Sequence, residues 1–150
     1  GGRLKRLEPY LDDHINMLTY GDGVGDIDIG ALVDFHKAHG KQATLTATYP
    51  PGRFGALIIE SNKVIKFEEK PRGDGALING GFFVLSPKVI ERIDGDSSIW
   101  EEKPLKELAM DGELMSFKHE GFWRPMDTLR DKMYLEGLLE NNKAPWKTWK

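Results

Sequence analysis

Residues 15–23 read INMLTYGDG, and the change of character at Gly21 decides the fold. The run 15–20 is short and mostly apolar, and Gly21-Asp22-Gly23 stops it at once. A short apolar run closed by turn residues reads as a buried strand. In open α/β sheets, ligands bind beyond the carboxyl ends of strands. An Asp placed there between glycines can offer its carboxylate to a cation without steric obstruction. Mg²⁺ suits such a place, because it takes one or two carboxylates and completes its shell with phosphate oxygens and water. The same tripeptide also makes a plain turn, and taken alone the turn is the simpler reading.

On either side of this strand, helical and strand patterns alternate. Residues 3–12 place Leu4, Leu7 and Leu11 on one helical face, with Pro9 expected to break or kink the helix. Residues 29–39 carry Ile29, Leu32, Val33 and Phe35-His36 on a rough helical stripe, and Gly40 supplies the stop. Residues 42–49 (QATLTATY) alternate and are β-branched, so a strand is expected. Residues 55–60 and 64–68 form a hairpin across Ser61-Asn62-Lys63, and 72–75 (RGDG) a turn. Residues 76–85 (ALINGGFFVL) make an apolar strand with glycines inside it. A short helix is expected at 87–93, with Ser86 as N-cap and Pro87 in first position. A second helix is expected at 100–110, closed by Asp111-Gly112, and then a strand at 113–119. Residues 121–127 (GFWRPMD) read as irregular. The strongest helix is 128–142, with Thr128 as N-cap, Asp131 as its capping partner and a stripe of Leu129, Met133, Leu135, Leu138 and Leu139. This alternation predicts an α/β fold on a mostly parallel sheet, with antiparallel strands added at the hairpin.

Bulk composition narrows the function. The 150 residues are 39% hydrophobic and 30% charged, enough apolar material for one core and too much for a disordered tail. A net charge of −3 recommends neither a nucleic-acid nor a membrane-surface partner. No apolar run approaches the roughly 20 residues that span a bilayer. Without cysteine there is no disulfide framework and no thiolate metal site. A cytoplasmic protein is expected. The chain opens on Gly1-Gly2-Arg3 without Met, which predicts a processed chain or a fragment.

Four places carry possible chemistry. Asp22 is the first. The second is FEEKP at 67–71, where Glu69 can accept hydrogen bonds from sugar hydroxyls and Lys70 can hold a phosphate; a solvated strand end is the plainer reading. The third is Asn79-Gly80-Gly81, where glycines inside a strand mark either a ligand's close approach or a bulge. The fourth is WRPMDT at 123–128, where Asp127 is either a helix-start residue or a second metal ligand that meets Asp22 from far along the chain. His14, His36, His39 and His119 show no metal spacing, and His36 and His39 are expected on a surface helix. Trp146 and Trp149 are expected in packing or in an oligomer contact.

The order YGDG, FEEKP, INGGFFVL, WRPMDT resembles the sugar-1-phosphate nucleotidyltransferases. PPGRFGAL at 50–57, the longer run 34–55 and the tail APWKTWK resemble most closely the branch that joins CTP to α-D-glucose 1-phosphate. The resemblance covers all 150 residues. It implies a Rossmann-like mixed sheet of the nucleotide-diphospho-sugar transferase type. Residues 1–150 would be the C-terminal, sugar- and metal-binding part of a single domain that lacks its N-terminal strands and its glycine-rich triphosphate loop. It implies Mg²⁺ held by Asp22 and Asp127, Lys70 on the sugar phosphate, Glu69, Asn79 and Gly80 on the sugar, and Arg3 where substrate is closed over. It implies CDP-glucose, a precursor of dideoxy sugars in bacterial surface polysaccharides such as O antigen, as the product of a homo-oligomer, with the 150 residues inactive on their own. UTP, dTTP or GTP in place of CTP, and a non-catalytic regulatory or sugar-phosphate-binding subunit, remain open readings at this point.

Overall fold

The computed structural model describes residues 1–11, 13–52, 55–69 and 76–148. The expected turn at 72–75, Lys70 and Trp149 therefore lie outside the described residues. The elements run in the order α1 (Gly2–Arg6), a 3₁₀ turn (Glu8–Tyr10), β1 (Asn16–Thr19), β2 (Gly23–Gly25), α2 (Ile29–His39), β3 (Ala43–Thr48), β4 (Ala56–Glu60), β5 (Lys63–Glu68) and β6 (Ile78–Leu85). A 3₁₀ segment (Pro87–Arg92), α3 (Lys103–Met110), β7 (Leu114–His119), β8 (Trp123–Pro125) and α4 (Leu129–Glu140) follow. The result is a mixed α/β fold whose described strands form a mixed sheet ordered β1-β6-β3-β7 and two two-stranded sheets, β2-β8 and β4-β5. The pairing of β1 with β6 is antiparallel, which departs from the mostly parallel expectation there. No helix among the described residues is long and apolar enough to cross a membrane.

Contacts divide the chain into two compact units. The first comprises 1–20, 28–46 and 81–117 and holds the apolar core. Phe83, Leu85, Val89, Ile93, Trp100 and Leu108 are buried there, with Leu4, Leu18 and Tyr20 packed against them. The Phe83 and Trp100 rings meet edge to face at 5.7 Å. Full burial of a side chain such as Phe83 contributes about 1.5–3 kcal/mol. Pro9 does end α1 early, because its ring cannot continue a helix. Gly40 closes α2 at φ 65°. α3 starts at Lys103 rather than at Trp100, because Pro104 suits only a first turn. Ser86 sits at the N-cap of its 3₁₀ segment but makes no capping bond with its side chain.

The expectation of an exposed His36 is corrected. Its side chain is buried beside β3, on the face of α2 that also buries Leu32. Its Nδ1 lies 2.9 Å from Thr44 Oγ1, and His39 Nε2 lies 2.7 Å from the same oxygen. Lys41 N–H donates to His39 Nδ1 at 2.9 Å. That bond leaves the ring proton on His39 Nε2, which donates to Thr44; the threonine hydroxyl then donates to His36 Nδ1. Burial lowers both histidines from their ordinary 6.5, and each is lowered further by a charge-capable neighbour, His39 for His36 and Lys41 for His39.

The second unit comprises 21–27, 47–80 and 118–150. The β4-β5 hairpin closes on Ser61 and Asn62, at φ 45° and 68°, the left-handed pair that a two-residue hairpin turn needs. Lys63 belongs to β5, not to the turn. Both faces of the hairpin are exposed, from Leu57 at 51% to Phe67 at 62%. α4 begins where Thr128 was expected to cap it, yet of its apolar stripe only Leu135 is buried; Leu129 and Met133 are 71% and 63% exposed. Trp146 does pack, its ring 5.3 Å from Phe122.

Two expectations follow for the first unit. Thr44→Val keeps the volume but strips both histidines of their partner, and should cost about 1–3 kcal/mol in denaturant unfolding. Because both folded-state histidines sit below 6.5, the unfolded chain binds protons first as pH falls. Stability should therefore be full above that value, fall below it, and level off once the folded protein also takes up protons; melting curves across that range check this. At Gly81, φ is 78° and an added Cβ would lie 2.7 Å from the Tyr20 ring, which is tied by its hydroxyl to Glu101. Gly81→Ala should cost about 1–3 kcal/mol in the same unfolding assay.

Candidate active site

The chain after β1 turns through Gly21 and Asp22 into β2, whose three residues GVG form an antiparallel ribbon with the WRP of β8. Gly23 faces Pro125, Val24 faces Arg124 and Gly25 faces Trp123. The ladder continues past both ends. Met126 N–H donates to Asp22 O at 2.7 Å, and Asp26 N–H donates to Phe122 O at 3.1 Å. Asp22 thus stands opposite Met126, and Asp127 is the next residue along. Two acidic residues from opposite parts of the sequence thus lie near one end of one ribbon, and both are exposed.

Glycine is what the close packing of β2 allows. A Cβ on Gly25 would come within 3.1 Å of Phe122 O and 3.3 Å of the Trp123 ring. Trp123 in turn donates its indole N–H to Gly80 O at 2.8 Å. This bond ties β8 to the Asn79-Gly80 pair at the start of β6. Asn79 is half-buried and Gly80 buried. Glu69 is exposed at the end of β5, with Oε2 against Gly55. These residues and both aspartates belong to the second unit, whereas Arg3 is exposed on α1 in the first.

Asp127 is also anchored from its far side. Thr128 Oγ1 accepts from Asp131 N–H at 3.2 Å and donates to Asp131 Oδ2 at 2.7 Å, the reciprocal cap expected for α4. Asp131 Oδ1 accepts from Arg124 Nε and Nη2 at 3.2 and 3.0 Å. The Arg124 guanidinium also lies over the Tyr134 ring at 4.6 Å. So the segment 124–128 that carries Asp127 is fixed at β8 by the ladder and at α4 by a buried carboxylate. Arg124 has no signal in the sequence that singles it out, since its partner lies seven residues on, beyond the helical neighbours at three and four.

Among the described residues there is no group of three or more His, Cys, Asp or Glu that could hold a metal. Asp22 and Asp127 are two exposed acidic residues near one ribbon end, a smaller set, and hard oxygen donors of that kind suit a cation that takes its remaining ligands from phosphate and water. An apolar pocket of about 220 Å³ and a polar one of about 580 Å³ lie in the first unit, and neither includes a residue chosen from the sequence as a site.

Residues 6–128 match the family described as Nucleotidyl transferase. The chain is 67% identical over 150 residues to glucose-1-phosphate cytidylyltransferase of Salmonella typhi, and equally to that of Salmonella typhimurium, covering 99% of this chain and 58% of each relative. It is 33% identical to mannose-1-phosphate guanyltransferase of Emericella nidulans, over 94% of this chain and 42% of that protein. The chain thus spans little more than half the length of its cytidylyltransferase relatives. Among solved structures, the inositol-1-phosphate CTP transferase from T. maritima aligns over 97% of this chain and 61% of its own, with a TM-score of 0.60 at 19% identity. HddC from Yersinia pseudotuberculosis aligns over 87% and 58%, with a TM-score of 0.63 at 19% identity. At those identities the two structures establish the fold alone.

The Asp131 carboxyl is held below its ordinary 3.8 chiefly by the Thr128 hydroxyl and next by Arg124. A lowered acid stabilises the fold above its ordinary value and stops doing so as pH falls through the lowered one. Asp131→Asn should melt earlier than the parent at neutral pH, and the gap should close as pH falls below 3.8.

Proposed function

This chain belongs to the nucleotidyl transferase family, and from that we propose that the protein transfers a cytidylyl group from CTP to α-D-glucose 1-phosphate, giving CDP-glucose and pyrophosphate. The observation that supports the reading is the ribbon end at which Met126 N–H meets Asp22 O, one residue before Asp127. The choice of CTP and glucose 1-phosphate is supported by the 67% identity to enzymes of that name.

In this reading Asp22 and Asp127 hold Mg²⁺. When bound, the ion would neutralise triphosphate charge and favour pyrophosphate as the leaving group. The sugar phosphate oxygen attacks the α-phosphorus of CTP in line; the new O–P bond forms as the bond to pyrophosphate breaks. Such a displacement needs positioning and charge neutralisation rather than a covalent nucleophile. Lys70 is proposed to hold the incoming phosphate as a point charge. Glu69, Asn79 and Gly80 contact the sugar, and the bond from Trp123 to the Gly80 carbonyl supports the part of that surface nearest the carboxylates. Arg3 is proposed to close over the substrate.

The test is formation of CDP-glucose by the full-length protein, assayed with CTP, UTP, dTTP and GTP in turn. Product with CTP at least about tenfold above the other three supports the reading, and preference for another base moves it within the family. Asp127→Asn should lower turnover by about 10²-fold or more while circular dichroism stays unchanged. An unaltered rate would favour a site without these carboxylates, and no product with any nucleotide would favour a regulatory subunit.

A further inference from the structure

The other end of the same ribbon is closed by a group that the reaction does not use. β7 ends at His119, and the chain doubles back through Glu120 and Gly121 to Phe122 and β8. The His119 side chain is 9% exposed. Its Nε2 lies 3.0 Å from Phe122 O and 3.0 Å from Asp26 Oδ1. Both neighbours are acceptors, so Nε2 carries the proton. The N–H is directed at the carbonyl, and the carboxylate oxygen sits beside it, shut off from solvent and without a hydrogen bond of its own. Phe122 O thus receives two donors, His119 Nε2–H and the Asp26 backbone N–H. Gly121 has no room for a side chain over this cluster: a Cβ would lie 2.4 Å from Asp26 Oδ1 and 2.7 Å from His119 Cε1.

A ribbon this short needs such a closure. Two strands of three residues are not stable by themselves. β2 contains Gly23 and Gly25, which add backbone freedom, and Pro125 has no N–H to give the ladder. The ribbon's order therefore depends on its ends. One end carries Asp22 and Asp127. The other, about 13 Å away at roughly 3.3 Å per residue, is the cluster of His119, Asp26 and Phe122 O.

We infer that His119 is a positioning residue for the Asp22 and Asp127 carboxylates: by locking Phe122 and Asp26 it fixes the ribbon register that pairs Asp22 with Met126 and so sets where Asp127 follows. This rests on the reading that the pair holds a divalent cation. Loss of the imidazole loosens the ribbon and weakens cation binding, although His119 touches neither cation nor substrate.

Binding of Mn²⁺ alone to the full-length protein, read from the electron paramagnetic resonance signal of the free ion, tests this apart from activity. His119→Ala should raise the dissociation constant by about tenfold or more. His119→Gln, whose amide N–H can also reach Phe122 O, should return it to within about threefold of the parent. Equal binding by the parent and His119→Ala overturns the inference, as does a folded His119→Gln that binds as weakly as His119→Ala. If His119→Ala fails to fold by circular dichroism, Asp26→Asn, which keeps the shape of the cluster, carries the same comparison. Asp127→Asn separates the two claims: if it binds Mn²⁺ as the parent does, the carboxylate reading fails, whatever the His119 variants do.

Discussion

The hydrogen bond from Met126 N–H to Asp22 O is the contact on which the rest of the site depends. It joins a turn near the start of the chain to a turn near its end. A contact of such large sequence separation cannot arise from local preference; the loop-closure cost between the two ends must first be met by packing elsewhere. Once made, it brings the segments that carry Asp22 and Asp127 to one end of the ribbon.

Side chains hold the ribbon because its backbone is too weak to hold itself. Trp123 reaches the Gly80 carbonyl, Arg124 reaches Asp131, and His119 reaches Phe122 and Asp26. Each of these bonds starts on β7 or β8 and ends on a different segment. The glycines of β2 fit the same scheme, since a larger residue at Gly25 would strike Phe122 O and the Trp123 ring. Backbone closeness comes from glycine, and rigidity comes from the indole, guanidinium and imidazole around it.

Much of this fold was legible. α2 was read to its residue bounds because an amphipathic period and a left-handed Gly40 are local signals. The start of α4 was read for the same reason, from a cap and its partner three residues away. β8 was not, because WRP is three residues long and includes a proline, and no period can be seen in so short a run. His36 was placed at the surface because a rough stripe does not say how wide the buried face is; Thr44 on β3 decides that. The apolar stripe of α4 was read as one side of a helix, yet within this chain it is largely exposed, and so are both faces of the hairpin. Of the chosen site residues, Lys70 falls outside the described residues, while Asp22, Asp127, Asn79, Gly80 and Glu69 all fall in one unit.

By itself the sequence determined the bounds of α2 and the start of α4, which residues bend the chain, and which ordered motifs resemble one enzyme family. Those features depend on interactions within three or four residues, or on residue identity. Only the tertiary structure decided that Asp22 pairs with Met126 at the ribbon end where Asp127 follows, that His36 is buried, and that His119 closes the ribbon. Those depend on register between segments remote in the chain, and register is fixed by packing and by bonds that no local window contains.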